Sequence, residues 1–319
     1  MMKAIVYQNY GSPDVLELKE IEKPNVMDDE LLIKVHAAAV IPFDWHFMTG
    51  TPFLARIMAG GLFKPKHKVL GTQVSGLVEA VGENVKRFQP GDEVFGRSVN
   101  CGGFAEYVCI SEDDAWSIPA GMSFEEAAAV LFSAISALIC LCDLGQIQSG
   151  QKVLINGASG GLGTLAVPIA KSFGAQVTGV CSTRNLDMVR SIGADQVIDY
   201  TQKDFTQNGA RYDLIFDAVG VRSFSDCKRV LSPEGIYVTT EFSPALVLMG
   251  FWISKTGSQK MIPMPPIEPK PEIKELFVEL LEAGKLTPVI DICYPLSEVP
   301  EAFRYYEKGH TQGRVIITI

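Results

Sequence analysis

The 319-residue chain has no uncharged run long enough to cross a bilayer. The most continuously apolar of its uncharged runs, residues 127–142 (AAAVLFSAISALICLC), has about 16 residues against the roughly 20 that a spanning helix needs, so a buried helix and no membrane span are expected. Nor is positive charge in surplus. Lys and Arg number 28 against 37 Asp and Glu, a net charge of −9. The mean field therefore repels phosphodiester backbones and anionic lipid surfaces, and nucleic acid is not expected as a partner. Cysteine is scarce: seven residues, an odd number, scattered mostly through apolar runs. Reduced, buried thiols are expected rather than a disulfide framework. Cys140 and Cys142 have no second Cys pair or nearby His pair, which argues against a zinc lobe there. The opening MMKAIVYQNY breaks its apolar pattern too early for a signal peptide, so a cytoplasmic location is the expectation. Internal repeats and low-complexity tracts are also lacking.

What is present is a normal globular mixture, 47% apolar and 20% charged, able to bury a sizeable core. The length exceeds the usual single-core size, so two domains, with a cleft for a small ligand, are expected. Up to about residue 120, short β-rich runs (KAIVYQ, LLIKVHAAAV, VSGLVEAVG, DEVFG, FAEYVCI) alternate with glycine and proline turns, which predicts a β-rich domain. Helical spacing begins at Met122, with Ser123 as N-cap and Glu125 and Glu126 in the first turn. From Lys152 to about Thr240, β-runs (KVLIN, QVTGVC, QVIDY, DLIFDAVG, GIYVTT) alternate with helical stretches (LGTLAVPIAKSFG, NLDMVRSIG, SFSDCKRVL). Strict alternation predicts an α/β, doubly wound parallel sheet with helices on both faces. Pro168, inside the first of these helices, predicts a kink or a place in the first turns. Residues 256–271 hold five prolines and no periodicity, which predicts an extended connection. A helix should follow over about 272–283, and the closing GRVIITI reads as a strand able to return to the first domain.

The stretch INGASGGLG, residues 155–163, directly follows the strand KVLIN and opens a helix. Ala158, Gly160 and Gly163 spell A-x-G-x-x-G, a dinucleotide fingerprint with Ala in its first position. The second glycine lets a pyrophosphate approach the backbone, and the third lets helix and strand pack closely. The helix N-terminus supplies oriented N–H groups to the anion, and Ser159, Gly161 and Leu162 of the same loop are cofactor-binding candidates with Ala158, Gly160 and Gly163. An acid is expected at the end of the next strand, QVTGV, to accept from the adenosine ribose. That strand ends instead in Cys181, Ser182, Thr183 and Arg184. Hydroxyls followed by a guanidinium suit a 2′-phosphate, which points to NADPH; the alternative is that Arg184 is only a solvated loop residue. Asp187, the nearest acid, is expected to serve the dipole of the following helix.

Taken with LGTQVSGLVEAVGENVKRFQPGDEVFG at 70–96, GGFAEYVCISEDDAWSIPAGMSFEEAAA at 102–129 and the close GHTQGRVIITI, these residues resemble the medium-chain dehydrogenase/reductase superfamily in its zinc-independent quinone oxidoreductase branch. The resemblance runs nearly end to end. It implies a GroES-like β-rich domain, residues 1–121 and 267–319, around an inserted Rossmann domain, residues 122–266, and a homodimer. It also implies no metal, because zinc-dependent relatives carry Cys where this chain has Asp44 and a His-Glu pair where it has Thr72 and Gln73. The nicotinamide pocket of the branch resembles N-x-x-D-x-Y-x-R-x-G. Here Asp44 and Gly50 match, while Ile41, His46 and Met48 replace Asn, Tyr and Arg, which implies a more apolar pocket.

The resemblance makes Asp44 and His46 the catalytic candidates, His46 being either a proton donor or a polar wall residue. It places Ser136 at the nicotinamide end, Tyr200 near the adenosine phosphate, and the strand end Asp217 to Gly220, with Ala218, Val219 and Gly220 as the binding residues, at the nicotinamide ribose. The implied activity is NADPH-dependent hydride transfer to a small electrophile, a quinone or another α,β-unsaturated carbonyl compound. The alternatives are reduction of an enoyl thioester, or an NADPH-binding redox sensor with little turnover. The apolar segment ALVLMGFWIS, 245–254, is expected at a substrate entrance or a subunit contact.

Overall fold

Apolar side chains fill most of the eleven-residue strand Glu30–Val40, which suits it to the centre of a sheet covered by other chain segments. In the computed structural model, which describes residues 1–58, 61–241, 243–265 and 268–319, one edge of this strand pairs antiparallel with Gln73–Val81. Its other edge is shared. The first half takes Tyr107–Ser111 and the second half takes the C-terminal strand Arg314–Thr318, both antiparallel. Glu93–Arg97 and Ala115–Ser117 extend the sheet on one side, and Ile290–Pro295 on the other. The closing strand thus returns to the β-rich part, as its sequence suggested. Leu31, Ile33, Val35, Val74, Phe104 and Phe303 meet in the core of this unit.

The second sheet has six strands, all parallel: β1 (Lys152–Asn156), β2 (Gln176–Cys181), β3 (Gln196–Asp199), β4 (Tyr212–Asp217), β5 (Leu231–Thr239) and β6 (Lys260–Pro263). Their spatial order is 3-2-1-4-5-6. Order reverses between β1 and β4, and such a switch point is where α/β sheets bind ligands.

Helices that matter below are α1 (Pro42–Thr49), α2 (Phe124–Leu138), α3 (Gly163–Ser172), α4 (Pro244–Thr256) and α5 (Pro271–Glu282). Ser123 caps α2 through a reciprocal pair. The Glu126 N–H donates to Ser123 Oγ at 3.2 Å, and the Ser123 N–H donates to Glu126 Oε2 at 2.9 Å. A π-helical turn, Ile139–Leu144, continues α2. Among the described residues this continuous helix alone is long and apolar enough to cross a membrane, and 72% of its apolar window is buried inside the protein. It is a core helix. Pro168 lies inside α3 without ending it.

The chain divides into residues 1–131 with 289–319, and residues 132–288. Both divisions fall later than the sequence suggested. The first, expected at 121/122, lies within α2, a helix that spacing alone does not divide. The second falls between 288 and 289, whereas the position expected for it, 266/267, lies outside the described residues. The chain leaves its second unit only after α5, which buries Ile273, Phe277, Leu280 and Leu281 and sets Lys270, its N-cap, 2.5 Å from Asp143. The proline-rich 256–271 is likewise not wholly a loop, since Lys260–Pro263 forms β6. A four-residue edge strand tolerates Pro263. The stretch SFSDCKRVL is helical only over Phe224–Lys228, because Leu231 already belongs to β5.

Cysteine burial also differs from expectation. All seven are free, but Cys109 and Cys142 are half-buried and Cys293 is exposed. Replacing Ser123 by Ala should lower stability by about 1 kcal/mol through loss of the α2 cap. Urea unfolding of both proteins measures it.

Candidate active site

The glycine turn leaves β1 at Gly157, whose φ of +82° is left-handed. The tight-turn role therefore falls one residue before the fingerprint, and that is why Ala158 can stand in its first position. Ala158 is fully buried, and a Cβ on Gly179 of β2 would come within 3.0 Å of its methyl. At Gly163 a Cβ would lie 2.6 Å from Ala158 Cα, so only glycine lets α3 pack this close. Gly160 is different. A Cβ there would meet nothing nearer than Gly157 O at 3.6 Å, so no neighbour within the chain demands glycine, and the bare backbone is available to a ligand.

The amides of Gly157 and Ala158 are spent on Val180 O, and that of Gly160 on Gly157 O. Ser159, Gly161 and Leu162 stand just before α3, where the helix dipole favours negative charge. These residues fit a dinucleotide pyrophosphate.

Across the switch point, β4 ends in Asp217, which has no solvent exposure. Its Oδ1 accepts from Asn156 Nδ2 at 2.9 Å and from the amides of Val219 and Gly220, both at 3.0 Å. Its Oδ2 accepts from Tyr237 OH at 2.8 Å. Burial and the neighbouring carboxylate push the Tyr237 phenol well above its ordinary range, so it remains a neutral donor. Ala218 N–H donates to Asn156 O at 3.1 Å. Ala218, Val219 and Gly220 are thus brought to the glycine turn, and the Val219 side chain occupies the space a Cβ on Gly157 would need.

A third group gathers where β2 and β3 end. Asn185, buried, donates through Nδ2 to Ser159 Oγ at 2.9 Å, tying this turn to the glycine loop. Ser182 is half-buried and Arg184 exposed. Tyr200 N–H donates to Cys181 O at 3.0 Å, placing the exposed Tyr200 at the same corner. The acid absent from the end of β2 stands at the end of β3. Asp199 is in register with Cys181, and Thr183 Oγ1 donates to its Oδ2 at 2.5 Å. Asn185 and Asp199 escaped the sequence reading, because the partners that tie them to the site lie 26 and 16 residues away along the chain.

Asp44 and His46 lie on α1 in the first unit; Ser136, 4% exposed on α2, and the other candidates lie in the second. Asp44 is fully buried. Its Oδ2 accepts from Ile41 N–H at 3.1 Å and its Oδ1 from Gly71 N–H at 3.0 Å. Burial pushes its carboxyl up to about 7, while the two amides and buried Arg314 pull the other way. As a catalytic group it is correspondingly withdrawn; it pins the start of α1 to the loop before Gln73–Val81. His46 is half-buried, with Nδ1 2.6 Å from Thr51 O. A carbonyl only accepts, so Nδ1 carries the proton and Nε2 is the nitrogen left for chemistry. Met48 joins the core and Ile41 is 1% exposed, so neither forms the apolar pocket wall the sequence suggested. Gly50 ends α1 at φ +64°, with Tyr10 filling the space of a Cβ.

Sequence profiles of two families match the chain: the alcohol dehydrogenase GroES-like domain over residues 27–120 and the zinc-binding dehydrogenase over residues 192–317. The chain is 33% identical to a chloroplastic quinone-oxidoreductase homolog of Spinacia oleracea, over 99% of this chain and 98% of that one. It is 34% identical to a 2-methylene-furan-3-one reductase of Solanum lycopersicum, over 99% and 79%. The solved quinone oxidoreductase of Coxiella burnetii superposes with a TM-score of 0.88 at 28% identity, over 100% and 99%.

Asp44 holds its proton to a higher pH in the folded chain, about 7, than in the unfolded one, about 3.9. Its contribution to stability is therefore full below about pH 4 and is lost as pH rises through about 7. Asp44→Asn should abolish that dependence. With one acceptor oxygen left for two amides, it should also lower stability by about 1–3 kcal/mol. Urea unfolding at about pH 5 and about pH 8 tests both effects.

Proposed function

Since the chain belongs to the medium-chain dehydrogenase/reductase superfamily, in its quinone oxidoreductase branch, we propose that it is an NADPH-dependent, metal-independent reductase of quinones or other α,β-unsaturated carbonyl compounds. The observation that carries this reading is the open backbone at Gly160, at the sheet's switch point. Two relatives support the substrate class, because a quinone and a 2-methylene-furan-3-one are both conjugated carbonyl compounds.

When bound, the nicotinamide supplies hydride. The amides of Ser159, Gly161 and Leu162 hold the pyrophosphate, and Ser182 and Arg184 grip the 2′-phosphate with Tyr200 beside them. Asp217 braces residues 218–220 against the glycine turn, so that loop is set before any ligand arrives. His46, held through Nδ1 on Thr51 O, gives a proton from Nε2 to the substrate oxygen in its imidazolium form. A conjugated acceptor delocalises the charge developing on its oxygen, so a Lewis acid is not required. Among the described residues no three His, Cys, Asp or Glu side chains gather as a metal ligand set. Homodimer assembly is part of this reading, with Val247, Leu248, Met249, Phe251 and Trp252 of α4, all exposed, as the face it would cover.

Steady-state NADPH oxidation across quinones, enones and enoyl thioesters tests the activity; turnover of none of them would overturn it. Arg184→Ala should weaken NADPH by about 10-fold to 150-fold and leave NADH nearly unchanged, since a charge-assisted bond is worth roughly 1.5–3 kcal/mol. Fluorescence titration with both cofactors reads this. His46→Phe should lower turnover by about 10²-fold at unchanged cofactor affinity. An unaltered pH–rate profile in this variant would make solvent the proton donor.

A further inference from the structure

The corner that receives the adenosine ribose holds two opposed charges, and only one of them is adjacent in sequence to the hydroxyls there. β3 runs parallel to β2 in a register that sets Asp199 beside Cys181, the residue from which the 182–185 turn departs. Thr183, between Ser182 and Arg184, donates through its hydroxyl to Asp199 Oδ2 at 2.5 Å. The Thr201 amide and hydroxyl donate to Oδ1 at 2.9 and 2.7 Å, and the two threonine hydroxyls lie 3.1 Å apart. Three donors fix this carboxylate in place. They also hold it below the usual carboxylate range, Thr183 contributing most. A permanent negative charge is therefore built into the turn that carries Arg184.

An acid at this corner has a definite chemical meaning. A carboxylate accepts from the 2′- and 3′-hydroxyls of an unphosphorylated ribose, whereas it repels a 2′-phosphate. In most sheets of this order the acid ends the second strand; here the neighbouring third strand delivers it to the same place. Thr183 makes the placement specific, since its hydroxyl is committed to Asp199.

We propose that Asp199 is a specificity-determining residue that opposes Arg184: it favours the ribose diol of NADH and disfavours the 2′-phosphate of NADPH, so that the chain uses both cofactors with a capped preference for NADPH. This rests on the reading that the 182–185 turn receives the adenosine ribose. Removing one unit of like charge beside a doubly charged phosphate at a water-exposed site changes affinity by about tenfold.

The test is a fluorescence titration of NADPH and NADH against the wild-type chain, Asp199→Asn and Asp199→Ser, the serine variant serving if the first does not fold. NADPH should bind about tenfold more tightly to either variant, with NADH unchanged or weakened a few-fold. A ratio of affinities that stays within about twofold of wild type, or a parallel change in both cofactors as a purely structural role would give, overturns the proposal. Arg184→Ala separates this failure from that of the underlying reading. If Arg184→Ala leaves the ratio unmoved, the ribose corner itself is misplaced. If it lowers the ratio while Asp199→Asn does not raise it, only the role of Asp199 falls.

Discussion

A fully buried carboxylate, Asp217, holds together the two loops that meet at the switch point of the parallel sheet. Four donors converge on it: the Asn156 amide, the Tyr237 phenol and the backbone N–H groups of Val219 and Gly220. Taking a carboxylate out of water is costly unless its oxygens are satisfied, and here both are. Asn156 is the last residue of β1 and Val219 fills the space beside Gly157, so the shape of the glycine turn depends on this one side chain. Without it, two amides at the mouth of the site would point at nothing.

The first unit repeats the device with Asp44. A buried carboxylate again accepts backbone N–H groups, from Ile41 and Gly71, and so joins the start of a short helix to a loop from another part of the chain. Trp45 stacks near Phe303, with ring centroids 6.4 Å apart, and Met48 enters the core, so α1 is held along its length. His46 is presented from this anchored helix with its tautomer set by Thr51. In the proposed mechanism His46 carries a proton at one defined atom, while Asp44, the other catalytic candidate of the sequence, fixes the helix from which that atom is presented.

Strand order explains how the corner proposed for the ribose is built. In a parallel sheet the C-terminal ends of neighbouring strands lie side by side, so residues distant in sequence share one edge of the site. Arg184 arrives on the strand beside β1, and Asp199 on the next strand out. Under the proposal made above, cofactor choice would be a balance of two charges delivered at the ends of two strands, a more graded arrangement than a single acid or a single arginine.

The sequence alone determined what depends on near neighbours. Alternation of β-runs and helices marked the parallel unit, the N-cap Ser123 and the first-turn acids Glu125 and Glu126 marked the start of α2, and Gly160 and Gly163 marked the glycine turn, because spacing, caps and bare backbone act over a few residues. Tertiary structure decided the rest. It placed the tight turn at Gly157, gave α5 to the second unit, made a strand of Lys260–Pro263, and took Ile41 and Met48 out of contact with solvent. It also brought Asp199 and Asn185 to the turn that follows β2. Each of these depends on which strand lies beside which. That order is set by burying apolar faces across the whole sheet, a condition that no window of neighbouring residues contains.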